Sequence, residues 1–219
     1  MERTLSYDEA RAFYDAFGAR QDTQGYYEDP PNRDLVDHLA LDTASAVLEL
    51  GCGTGRLAAE MLLPRLPAGA TYLGVDVSQT MVSLARARLS AWRPRATVEL
   101  AAGPMTLPGG PASVDRFVST YVLDLLATED IRALAAELTR VLAPGGLAGI
   151  TSLTGGRAGL PRVVSWIWRQ VQRRRPTLVG GCRPLDLAPL MRDECLELVY
   201  EGHHCVRALS SQVLVLRRV

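Results

Sequence analysis

The sequence contains no lysine; its 24 basic residues are all arginine. It has one asparagine, Asn32, and four cysteines, Cys52, Cys182, Cys195 and Cys205, with no C-x-x-C pair among them. Each scarcity excludes chemistry. Without lysine there is no Schiff-base nucleophile, no P-loop lysine and no lysine general base. The cysteine spacing gives neither a disulfide framework nor a zinc knuckle. No apolar run approaches a membrane span, and Met1-Glu2-Arg3-Thr4 lacks the basic-then-apolar pattern of a secretion signal. A reduced, cytoplasmic setting is expected. Acids and bases cancel at 24 each, so the chain as a whole is not built to grip a polyanion.

What is present suits one α/β domain. The 219 residues, 47% of them apolar, are enough to bury a core unaided. Ser6 and Glu9 have capping-box spacing and open a helix over about 7–18. Pro30-Pro31 is read as the start of a second helix running to about Leu41. From residue 46, short apolar runs at 46–50, 71–75, 96–101, 114–120 and 146–152 alternate with helical stretches near 56–63, 78–91 and 129–142. Ser78 caps the second of these helices, and Pro144-Gly145-Gly146 ends the third. Such alternation argues for a parallel sheet with helices on both faces. Beyond residue 153, helices are expected at about 161–174 and 185–192, then strands at 195–201 and 212–217.

The chemistry begins at VLELGCGTG, residues 47–55. A strand ends on Glu49 and runs into Gly51, Gly53 and Gly55, where glycine lets the backbone turn and approach a ligand. The loop then feeds a helix whose amides point at whatever is bound. A dinucleotide fingerprint, G-x-G-x-x-G, wants its third glycine where this chain has Arg56. A carboxylate at the strand end repels a pyrophosphate but suits an ammonium and a sulfonium, which favours S-adenosylmethionine (SAM) over NAD. Asp76 ends the next strand, LGVDVS, 21 residues after Gly55. It can accept hydrogen bonds from the ribose hydroxyls of a nucleoside, or merely cap the helix after Ser78.

These segments, with VDRFVSTYVLDLL (114–126) and LTRVLAPGGL (138–147), strongly resemble the class I SAM-dependent methyltransferases. In style they are closest to the small-molecule enzymes of ubiquinone and menaquinone biosynthesis. The resemblance covers most of residues 7–154 and implies a Rossmann-like, mostly parallel seven-stranded sheet closed by a C-terminal antiparallel hairpin. It divides the chain into cap helices (1–45), a SAM-binding core (46–153), a lid or substrate insert (154–193) and the hairpin (194–219). It implies that Gly51, Cys52 and Gly53 pass near the methionine part of SAM, with Asp76 and Val77 at the ribose and Met81 by the adenine. Thr120-Tyr121 would line the floor near the methyl group. Many relatives hold the adenine amino group with an acid where this chain has Gly103, so adenine recognition is expected from backbone groups and from Pro104 and Met105.

The motifs of several acceptor classes are missing. After the fourth strand stands Ser119-Thr120-Tyr121-Val122, not the Asn/Asp/Ser-Pro-Pro-aromatic signature of DNA amino-methyltransferases, and no cysteine follows a proline. Catechol-type metal enzymes need an Asp-Asn pair, but Asn32 precedes the core. A small-molecule acceptor, lipophilic or anionic, is expected, with no nucleic acid. Asp124 either deprotonates the acceptor or, the favoured reading, begins a helix or binds backbone amides. Tyr14 and Arg20 either close over the SAM carboxylate or pack and face solvent. On the helix of 161–174, Val163, Val164, Ile167, Trp168 and Val171 are read as one stripe. That makes it a lid helix, the favoured reading, or a helix lying on a membrane. His203, His204 and Cys205 alternate along a strand and so cannot meet one metal ion. Two rival functions stay open: a non-catalytic SAM-binding adaptor and, on the same fold, a nicotinamide-dependent dehydrogenase.

Overall fold

In the computed structural model, which describes residues 4–101 and 106–219, the capping box forms as its spacing predicts. Ser6 Oγ accepts from the Glu9 amide at 3.2 Å and Glu9 Oε2 accepts from the Ser6 amide at 2.8 Å, opening α1 (Tyr7–Phe17). A 3₁₀ segment, Gly18–Gln24, leads directly into α2 (Gly25–Asp37). Pro30 and Pro31 therefore lie inside α2 rather than at its start. The 3₁₀ turns already supply the helical entry, so no proline is needed to begin it. α2 is anchored by Leu35 and Leu39, which pack against Gly149; a Cβ there would come within 2.8 Å of Leu35.

The predicted alternation gives β1 (Ala46–Leu50), β2 (Thr71–Asp76), β3 (Ala96–Leu100), β4 (Val114–Thr120) and β5 (Leu142–Thr154). These are parallel neighbours in the order β3-β2-β1-β4-β5. A hairpin, β6 (Leu196–Val206) and β7 (Leu209–Arg218), completes the sheet, with β7 antiparallel to both β5 and β6. The seven strands and their closing hairpin are those the resemblance implies.

Helices cover both faces, as near-continuous apolar strands require. On one face α2, the turns of Ala58–Arg65 and α3 (Gln79–Arg88) bury Leu35, Leu62 and Ala85; on the other, α4 (Thr128–Val141) buries Ile131, Leu134 and Leu138. Ser78 caps α3 by accepting from the Met81 amide at 3.1 Å. Two expectations fail for local reasons. α4 ends at Val141, and Pro144-Gly145-Gly146 forms an irregularity inside β5, where the register shifts from Val114–Leu142 to Arg116–Leu147. Residues 185–192 form a turn, not a helix: the Leu185 amide donates to Leu153 O at 2.9 Å and the Leu187 amide to Gln212 Oε1 at 2.9 Å. Only one turn closes there, with the Leu190 and Met191 amides both donating to Leu187 O at 2.9 and 3.0 Å.

Between β5 and the hairpin runs α5 (Gly159–Arg174). The predicted apolar stripe is split there. Val164, Trp168 and Val171 turn toward the body, whereas Val163 and Ile167 face outward.

Candidate active site

The carboxyl ends of β1, β2 and β4 open on a cavity of about 540 Å³, within the range of small-molecule sites. Its floor is the glycine loop. Gly51 holds φ +74°, and a Cβ on it would come within 2.1 Å of Val122 Cγ2; Gly53 holds φ +52° with nothing near an added Cβ. The loop is fixed by the Gly51 and Cys52 amides, which both donate to Val75 O at 2.8 and 3.1 Å. Asp76 braces it from the second strand: Oδ2 accepts from the Gly53 amide and Oδ1 from the Ser78 amide, each at 2.9 Å. The helix cap of α3 is Ser78 rather than Asp76, and the Asp76 side chain lines the cavity and keeps acceptor capacity. Burial raises its pKa against these backbone donors.

Glu49 differs from its expected role. It lines the cavity wall, but the Tyr72 hydroxyl donates to Oε2 at 2.5 Å, and burial lifts the acid to about 7. Its charge is weakened, and with it the pull of this strand end on an ammonium or sulfonium. Cys52, Val77, Met81, Thr120 and Tyr121 all line the cavity. Tyr121 sits at φ +57°, and its hydroxyl meets Ser211 Oγ at 2.9 Å. The expectations for Gly103, Pro104 and Met105 fall outside the described residues.

The far wall comes from the N-terminal helices. Tyr14 lines it; burial, with Cys182 and Asp124 behind, pushes the Tyr14 phenol well above its ordinary pKa. Arg20 does not reach the cavity. Its guanidinium is exposed and bonds the Ala16 and Phe17 carbonyls at 2.8 and 3.3 Å, closing the end of α1. Asp124 is also corrected. It is fully buried, and the cavity wall passes from Tyr121-Val122 to Leu125-Leu126 without it. The 3₁₀ turn Leu123–Leu125 points the carboxyl inward toward Cys182 and Arg183, where burial pushes it up to about 7. No residue of the 154–193 insert lines the cavity; the insert packs behind its wall, where a Cβ on Gly181 would come within 2.7 Å of Leu5 and 3.3 Å of Leu125.

Sequence reasoning missed a polar group on this wall: Gln21, Glu28 and Asn32. Glu28 and Asn32 stand one turn apart on α2 and are 6% and 3% exposed. Gln21 Nε2 donates to Glu28 Oε1 at 3.3 Å, and burial raises Glu28 to about 7 against the pull of Arg56. Asn32 Oδ1 and Gln21 Oε1 are buried acceptors with no donor among the described residues. Arg56, which displaces the dinucleotide glycine, ties the wall to the core: it lies 2.8 Å from Asp29, 3.8 Å from Glu28 and 3.4 Å from Glu60. Asp22 repeats the tie, with Thr54 Oγ1 at 2.6 Å and Arg88 at 2.6 Å. The only sequence signal for this wall was weak: the chain's lone asparagine lies on it.

Residues 47–146 match the family described as "Methyltransferase domain". The nocamycin O-methyltransferase of Saccharothrix syringae is 32% identical over 151 residues, 67% of this chain and 49% of that one. The chain spans between about a quarter and just over half the length of the curated relatives it matches. Among solved structures, the geranyl diphosphate C-methyltransferase of Streptomyces coelicolor A3(2), in complex with Mg²⁺, geranyl diphosphate and S-adenosyl-L-homocysteine, superposes with a TM-score of 0.67 at 16% identity, covering 88% of this chain and 79% of that one. The [4+2]-cyclase SpnF superposes at 0.72 and 18% identity, covering 98% and 97%. At such identities these structures speak for the fold.

Proposed function

The chain belongs to the class I SAM-dependent methyltransferases, and we propose that it methylates a small lipophilic molecule whose reacting atom carries a proton. The observation that supports this is the single cavity running from Asp76 and Met81, past Thr120-Tyr121, to Glu28 and Asn32. The first end suits SAM: a loop that only glycine can form at Gly51, a carboxylate at Asp76 able to accept from ribose hydroxyls and apolar walls from Val77, Met81 and Leu107. SAM, when bound, supplies a methyl group on a sulfonium, an intrinsically good donor.

The other end is what this chain adds. Leu5, Ala10, Leu57, Leu125 and Leu126 make it apolar, which suits a lipophilic acceptor. Among the described residues an anionic acceptor finds no free counter-charge. Arg56 is the one cationic side chain lining the described cavity, and it is already shared by Asp29, Glu28 and Glu60. Asn32 Oδ1 and Gln21 Oε1 call instead for a donor, a hydroxyl or an amine. Glu28 would then take up the X–H proton of the acceptor as its lone pair is methylated by the SAM held at the glycine loop, while Asn32 and Gln21 would orient the X–H group. A carboxylate poised near neutrality is matched to that task. The remainder is alignment and exclusion of water by Tyr14, Tyr121 and α2.

Calorimetric titration with SAM, S-adenosylhomocysteine and NAD tests the cofactor, and labelled methyl transfer to alkylphenols, alkylamines and fatty acids tests the acceptor. Binding of the first two ligands and labelling of phenols or amines are expected. Binding of NAD alone overturns the cofactor; labelling of fatty acids alone overturns the acceptor. Retention of SAM with no transfer to any of them moves the reading to a non-catalytic SAM-binding protein.

A further inference from the structure

We propose that α5 docks the protein on an anionic membrane surface. The helix has two apolar faces. One packs inward through Val164, Val171 and Trp168, whose indole N–H donates to Cys182 O at 2.8 Å. The second has no cover: Leu160, Val163, Trp166 and Ile167 are 68, 52, 62 and 50% exposed. Their spacing, i, i+3, i+6 and i+7, gathers them into one arc of the helix. An ordinary surface helix shows solvent a polar face there, and exposed apolar residues grouped in this way mark an interaction surface.

Charge selects the occupant. From residue 154 to residue 185 the chain carries seven arginines and no acid. As the whole chain is neutral, the rest of it carries a matching excess of seven negative charges. Arg162, Arg169 and Arg173, at i, i+7 and i+11, run along one border of the exposed arc, and Arg157, Arg174 and Arg175 are exposed beside it. An apolar face bordered by arginines is the pattern of a helix that lies in a lipid interface, with its side chains among the acyl chains and the guanidinium groups at anionic headgroups. No helix of the described residues is long and apolar enough to cross a membrane, so the contact is with the surface. A two-fold dimer through α5 would set arginine against arginine with no acid in the segment to relieve it. The segment does not line the cavity, so its outer face is free of the site's own needs.

The test is co-sedimentation of the full chain with vesicles of phosphatidylcholine alone and of phosphatidylcholine mixed with phosphatidylglycerol. Binding to the mixed vesicles, weaker by roughly tenfold or more on the neutral ones and falling as salt rises, is expected. The W166S/I167S variant changes only exposed positions and should lose about tenfold in partitioning while binding S-adenosylhomocysteine as before. Failure to sediment with either vesicle overturns the proposal, as does binding indifferent to W166S/I167S. A dimer in analytical ultracentrifugation that the same variant dissolves assigns the face to a second copy. Vesicle-free binding of a homopolymeric RNA assigns the arginines to nucleic acid. Either result also overturns it.

Discussion

The two ends of the cavity are built in different ways. The end at Gly51, Gly53 and Asp76 comes from consecutive strand ends, so its residues stand in short motifs and their backbone bonds are local to the sheet. The end at Tyr14, Gln21, Glu28 and Asn32 comes from helices that precede the sheet. Those helices are held over it by pairs far apart in sequence: Arg56 with Asp29, Arg88 with Asp22, and Ser78 Oγ with Asp15 at 2.5 Å. A fold can keep the first end constant while the second is rebuilt. In this chain the second end also carries two buried acceptors, Gln21 Oε1 and Asn32 Oδ1, with no donor among the described residues.

That contrast predicts separable defects. The largest belongs to Glu28→Gln, which keeps the shape and removes the proton acceptor. Methyl transfer should fall roughly 10²- to 10⁴-fold, and the rise of kcat through about pH 7 should vanish, with S-adenosylhomocysteine affinity unchanged. Equal loss of both would merge the two ends. Gly51→Ala strikes the first end: its Cβ meets Val122 at 2.1 Å from a left-handed backbone. It should cost on the order of 2–4 kcal/mol, seen in thermal melts or as lost cofactor binding. Asp76→Ala should weaken S-adenosylhomocysteine by about 1–3 kcal/mol, read by calorimetry, and should also lower the melt, because the Gly53 and Ser78 amides lose their acceptor.

Asp124 gives a smaller effect with a defined sign. Its folded pKa is raised from 3.8 to about 7, chiefly by burial. The folded chain therefore holds a proton that the unfolded chain releases, and stability falls as pH rises between about 4 and 7. Asp124→Asn should be more stable than the parent at pH 8 by on the order of 1–3 kcal/mol, and little different at pH 4. Parallel melting curves at both pH values would contradict a buried, uncharged role. Arg20→Ala, at an exposed helix end, should change cofactor affinity by less than about twofold, given the small worth of surface contacts.

How much of this was legible in the sequence follows the same division. Periodicity located all seven strands because an apolar stretch bounded by turn residues marks each, although β5, β6 and β7 run longer than those stretches, and Ser6, Glu9 and Ser78 act through bonds only three residues long. Asp76 could be read because its partners, Gly53 and Ser78, belong to adjacent motifs. Glu28 and Asn32 were hidden, since what buries them is the docking of α2 on β5 and β7 through Leu35 and Leu39, a tertiary fact. Pro30-Pro31 misplaced the start of α2 for the same reason. Asp124 misled because its place after β4 suggested a side chain at the cavity, whereas the left-handed turn at Tyr121 and the 3₁₀ turn after it send it inward. On α5, periodicity found an amphipathic helix but could not say which of its two apolar arcs the fold would bury.

The central claim is one cavity with cofactor at the glycine loop and acceptor at α2. It is tested most directly by titrating S-adenosylhomocysteine into the parent, Asp76→Ala and Glu28→Gln proteins in one calorimetric series. The account predicts micromolar binding by the parent, a clear loss in Asp76→Ala and none in Glu28→Gln. Undiminished binding by Asp76→Ala, or loss confined to Glu28→Gln, would contradict it.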